Sequence, residues 1–131
     1  MKYAFAAALL AVTLAALGPS AALAAADDYA FEATTAKVSA NREAVVAVRL
    51  VNRSTGKPVP NAVIFQTRLD MSPDSMGEMT GAVTPLPATE PGVYRFRVNV
   101  GMAGRWALKM AAKVPGEQDT VRGDVIVTAT Q

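Results

Sequence analysis

The sequence predicts an all-β fold, an immunoglobulin-like β-sandwich of about seven short strands preceded by a cleaved signal peptide. Three observations predict it. From Tyr29 onward, runs of β-branched and aromatic residues alternate apolar with polar positions. Turn residues separate these runs at roughly 8–12-residue intervals, the spacing of a sandwich. No segment of the mature chain carries the apolar period of an amphipathic helix.

The first segment differs from the rest. Lys2 gives a positive start, and Tyr3 to Leu17 is almost unbroken apolar sequence before Gly18 and Pro19. That stretch is short for a hydrocarbon layer of ~30 Å. Ala22-Leu23-Ala24 and Ala24-Ala25-Ala26 both fit small-x-small cleavage. Residues 1–26 are therefore expected to be an export leader. The mature domain, 27–131, is then expected in the periplasm with no integral membrane span. The chain has no cysteine, so lipid attachment and disulfides are both excluded. A mature domain of about 105 residues is long enough to rely on its core alone.

The strands follow in order. Tyr29, Phe31 and Ala33 alternate with Ala30, Glu32 and Thr34 as a first, edge-type strand. Asn41-Arg42 turns the chain, and Ala44 to Val51 is β-branched enough for a central strand. Ser54 to Pro58 is a turn, and Pro58 and Pro60 hold that connection outside any sheet interior. Ala62 to Leu69 is the third strand, with Val63, Phe65, Thr67 and Leu69 on one face. Gly81 to Val83 is a short strand before Pro85-Leu86-Pro87. After Pro91-Gly92, Val93 to Val100 sets Tyr94, Phe96, Val98 and Val100 against Arg95, Arg97 and Asn99. Gly101 to Gly104 reverses the chain. Trp106, Leu108, Met110, Ala112 and Val114 then oppose Arg105, Lys109 and Lys113. Pro115-Gly116 leads to the last strand, Val121 to Thr128.

Charge and composition narrow the function. Without Lys2 the basic residues exceed the acidic ones by one, which gives no electrostatic case for nucleic acid or an anionic membrane. With neither histidine nor cysteine, serine triads, cysteine–histidine dyads and ordinary zinc sites are out of reach. The glycines are scattered at turns and form no phosphate loop. Nothing singles out a pair of carboxylates, and the chain reads as a non-enzyme.

The segment Asp70-Met71-Ser72-Pro73-Asp74-Ser75-Met76-Gly77-Glu78-Met79 holds three of the five mature methionines. Pro73 and Gly77 mark it as a loop, and Met102 lies in a turn that would share its end of the sandwich. Thioethers are soft, uncharged donors that select Cu(I), and by the same logic Ag(I), over harder ions. Met71, Met76, Met79 and Met102 are thus candidate ligands, with the indole of Trp106 as a cation–π neighbour. A packing role stands beside the metal role, because methionine also fills gaps. Met110 and Trp106 read as core. Asp70, Asp74 and Glu78 do not match an EF-hand and read as solvated or as outer charge near a cation. Arg95, Arg97, Arg105, Lys109 and Lys113 read as outward strand faces that together could form a docking surface.

Three stretches resemble the YtkA-like/FixH family of small periplasmic or membrane-anchored β-domains. They are Thr55-Gly56-Lys57-Pro58-Val59, the Met71–Met79 segment, and Pro91-Gly92-Val93-Tyr94 leading to Met102-Ala103-Gly104-Arg105-Trp106. The resemblance implies an immunoglobulin-like fold and copper handling, with a heavy-metal efflux adaptor or an oxidase-assembly protein as partner. The positions it carries over are again Met71, Met76, Met79 and Met102. Many relatives add histidine beside the methionines. This chain has none, which leaves the monovalent ions. The rival expectation is a metal-free module that docks such a membrane complex.

Overall fold

The computed structural model describes residues 26–131, so the expected leader lies outside it but for its last residue. Among the described residues nine strands form: β1 (Tyr29–Ala33), β2 (Lys37–Ser39), β3 (Ala44–Asn52), β4 (Val63–Met71), β5 (Met76–Gly81), β6 (Val83–Leu86), β7 (Val93–Val98), β8 (Gly104–Lys113) and β9 (Val121–Thr130). They make a four-stranded sheet in the order β1-β3-β7-β6 and a five-stranded sheet in the order β2-β9-β8-β4-β5. All pairings are antiparallel except β2 with β9. In immunoglobulin lettering the sheets read A-B-E-D and A′-G-F-C-C′. Among the described residues, no helix is long and apolar enough to cross a membrane.

Alternation explains the layers. In β3, Ala44, Val46, Val48 and Leu50 are buried while Val45 between them is exposed. Phe96 and Val98 of β7 meet them within the same sheet, and Leu69, Trp106, Leu108, Met110, Val125 and Val127 close the core from the other. Each such large side chain, fully buried, contributes roughly 1.5–3 kcal/mol. A smaller cluster of Tyr29, Leu50, Val114 and Val121 seals one end. There the Tyr94 hydroxyl donates to the Val59 carbonyl at 2.7 Å and accepts from the Ala62 N–H at 2.9 Å.

Four expectations are corrected by the structure. Among the described residues the strands number nine rather than about seven, because Lys37–Ser39 and Met76–Gly81 are also strands. The expected Gly81–Val83 strand is instead Val83–Leu86 and runs through Pro85; β6 is an edge strand, where a missing N–H is tolerated. Val63 and Phe65 do not share the face of Leu69. A bulge between Ile64 and Gln66 shifts the side-chain alternation, so Ile64 packs inward while Val63 and Phe65 are exposed. Finally, the five cations do not share a surface. Arg95 and Arg97 lie on the four-stranded sheet, and Arg105, Lys109 and Lys113 lie on the five-stranded one.

Candidate metal centre

The methionine segment is a hairpin, not the expected loop. β4 continues to Met71, a single 3-10 turn spans Ser72–Asp74, and β5 starts at Met76. Pro73 sets the turn backbone, and Ser75 closes it in the left-handed region at φ 60°. Met71 and Met76 are direct cross-strand partners, so their side chains share a face. The ladder then resumes at Asp70–Thr80, which leaves Gly77, Glu78 and Met79 in a bulge on β5. Gly81 carries the chain toward the other sheet. A side chain there would collide with the Asn99 carbonyl and sit 2.8 Å from Leu69 Cδ2.

The four candidate methionines occupy different environments. Met71 is fully buried in the main core. Its methyl lies against Gly104, where an added Cβ would come within 2.5 Å of Met71 Cε. Met76 is half-buried and packs on the same core. Met79 and Met102 are 37% and 44% exposed. Met102 precedes β8, and its carbonyl accepts the Trp106 Nε1–H at 3.0 Å. Met71, Met76 and the turn holding Met102 thus lie at one end of the sandwich, with Met71 against Gly104 and the Met102 carbonyl on Trp106. Met79 stands apart in the β5 bulge. Trp106 is 3% exposed and belongs to the core, as does Met110.

Asp74 and Asp70 have structural partners. Asp74 accepts the Arg105 backbone N–H at 2.7 Å and Arg105 Nε at 2.8 Å, and Arg105 Nη2 donates to the Pro73 carbonyl at 2.7 Å. The backbone N–H of Arg105, and then its guanidinium, hold the Asp74 carboxyl below its ordinary range. This clamp ties the hairpin turn to the start of β8. Asp70 is only 1% exposed. It accepts the Ser72 N–H at 3.0 Å, Arg68 Nε at 2.8 Å and Lys109 Nζ at 3.0 Å. Burial alone would raise its pKa, but the bonds from Ser72, Lys109 and Arg68 outweigh that and hold it well below the carboxylate range. Glu78 is exposed. Among the described residues no three His, Cys, Asp or Glu side chains are grouped to hold a metal, so a metal at this end would rest on thioethers.

Asp70, expected to be solvated or an outer charge near a cation, is instead buried, and Gly104, read only as part of a chain reversal, is the seat of the Met71 methyl. The signal for Asp70 was a charged residue next to Leu69 at the end of an apolar strand. The signal for Gly104 was its place between Met102 and Trp106. The partners of both lie too far along the chain, Lys109 and Met71 respectively, to be paired from sequence.

A search of curated proteins found no match to the chain. Among solved structures, the Lin-41 filamin domain is similar at 20% identity, covering 79% of this chain and 92% of that chain with a TM-score of 0.46. The sequence model described as YtkA-like matches residues 23–111, a span that takes in β1 to most of β8 and the whole methionine hairpin. The chain belongs to the YtkA-like family.

Proposed function

We propose that this domain is a non-enzymatic periplasmic carrier that takes a soft monovalent ion, Cu(I) or Ag(I), as cargo at the methionine end of the sandwich. The observation that supports this reading is that two separate chain reversals bring the Met71–Met76 cross-strand pair and the turn carrying Met102 to the same end of the sandwich. In this reading Met102 supplies an exposed thioether and Met76 a half-buried one, and Met79 joins them as third donor only by a swing of the β5 bulge in which it stands apart. Met71 forms the floor and reaches an ion only by leaving its packed position. Soft thioether donors suit these ions and carry no proton that must be displaced. The expected recipient or donor is an efflux adaptor or an oxidase-assembly protein.

An anaerobic Cu(I) titration of residues 27–131 against a colorimetric competitor tests this. One ion per chain is expected, with affinity lost in a Met76/Met79/Met102→Leu variant, where leucine keeps the bulk and removes sulfur. Failure of the unmodified domain to compete would end the carrier reading. The complete burial of Met71 favours the second reading, a metal-free module that docks a membrane efflux or oxidase-assembly complex. Met71→Leu that abolishes affinity would show that Met71 is itself a ligand.

A further inference from the structure

The outer face of the five-stranded sheet carries a hollow. Trp106, Leu108 and Met110 of β8 point into the core, so Ala107, Lys109, Ala111 and Lys113 alternate on the outside. Ala111 stands between Gln66 of β4 and Arg122 of β9, and Lys109 between Arg68 and Asp124. A single methyl group among long side chains leaves space above it. A concavity of about 200 Å³ opens there, lined by Gln66, Arg68, Lys109, Met110, Ala111 and Arg122. It is smaller than the roughly 300–1,000 Å³ of sites for drug-sized ligands. Its lining holds three cations and no carboxylate.

Two of these cations are fixed from below. One oxygen of buried Asp70, Oδ2, takes both Arg68 Nε at 2.8 Å and Lys109 Nζ at 3.0 Å. Arg68 Nη2 donates to the Gly77 carbonyl at 2.9 Å. These bonds leave Arg68 Nη1 and the remaining Lys109 Nζ hydrogens without an acceptor among the described residues. Arg122 Nη1 reaches Gln66 Oε1 only at 3.4 Å, longer than a good N–H···O bond. Three cations against the one carboxylate of Asp70 leave two positive charges over. Asp124 shares this face but makes no salt bridge among the described residues.

We propose that this concavity binds a small oxyanion of two negative charges, inorganic phosphate or a short dicarboxylate. The charge matches the local excess, and the volume suits a small ion. Planar guanidinium groups on Arg68 and Arg122 suit paired oxygens, and Lys109 adds a donor between them. Asp70 sets Arg68 and Lys109 in advance, so little side-chain freedom is lost when the anion enters. Arg95 and Arg97, on the other sheet, take no part. The inference is independent of the metal reading and concerns different residues.

The test titrates 15N-labelled domain with inorganic phosphate and, separately, with succinate, at constant ionic strength. Saturable shifts are expected at the amides of Gln66, Arg68, Lys109, Ala111 and Arg122 with at least one of the two, and the better ligand names the class. Arg122→Gln, at an exposed position, should weaken binding about tenfold, the loss of one charge-assisted hydrogen bond. Lys113→Gln, on the same face outside the concavity, should leave it unchanged, and Asp124→Asn should tighten it. Saturation by neither anion, or shifts centred on Arg95 and Arg97, would overturn the proposal. Equal weakening by Arg122→Gln and Lys113→Gln would also overturn it, since general attraction to a basic face would then account for the binding.

Discussion

Asp70 shows how one side chain is held by groups distant in sequence. Its carboxylate is buried and takes its hydrogen bonds from Ser72, Arg68 and Lys109. Asp70→Ala leaves the Ser72 N–H and two cations without their acceptor. Both cations are about half exposed and can turn to water, so a loss of about 2 kcal/mol is expected, below the range for fully buried pairs. A shift in the urea midpoint measures it. The pH dependence has a definite sign. The folded-state pKa lies below the ordinary value of 3.8. The stability from Asp70 is therefore complete well above that value and is lost progressively as pH falls below it toward the folded pKa. Asp70→Asn should flatten the acid limb of stability against pH, and an unchanged limb would assign it to other groups. The methionines separate by the same logic of burial. Met71→Ala should cost about 3 kcal/mol, whereas exposed Met102→Ala should stay within about 0.5 kcal/mol.

At the scale of elements, the methionine hairpin is set by a turn, a clamp and two glycines. Arg105→Ala removes the guanidinium half of the clamp and keeps the backbone N–H bond to Asp74. It should speed hydrogen exchange at Ser75, whose N–H bonds the Ser72 carbonyl within the clamped turn, while the β3–β7 ladder keeps its protection. Loss of protection throughout would mean that the turn is not a local unit. Gly81→Ala forces a methyl group onto the Asn99 carbonyl and Leu69, with an expected cost of about 2 kcal/mol or more by thermal melting. Much of the architecture was legible, because β3, β7, β8 and β9 carry period-2 patterns that two packed sheets must bury. The hairpin was less so. Pro73 and Gly77 are breaker residues, but Pro73 occupies one short turn and Gly77 a bulge, so pairing continues around them. The bulge at Phe65 left no mark in the pattern either, since Val63, Phe65, Thr67 and Leu69 alternate well on paper. The candidate site was half legible: shared position at one end followed from the turns, but depth did not, and depth separates Met71 from Met102.

For the whole molecule, the proposed cargo site and overall stability are thermodynamically linked. No disulfide braces the domain, so the packed sheets carry its stability, and any ligand selective for the folded state adds to it directly. A single ion at a hundredfold excess over Kd adds about 2.7 kcal/mol, which raises the melting temperature of a domain this size by on the order of 10 °C. The proposed methionine donors come from β5 and the turn before β8, segments that meet only in the folded chain. An unfolded chain would hold the ion far less well. Ag(I), which needs no reductant, should therefore raise the melting temperature of residues 27–131 by that amount. It should leave a Met76/Met79/Met102→Leu variant unmoved, while Met71→Leu keeps most of the rise. A rise that survives in the triple variant would place the ion away from these thioethers. No rise in the unmodified domain would leave the methionines as packing and hairpin residues, and the domain's function would then rest on the surfaces it offers to partners.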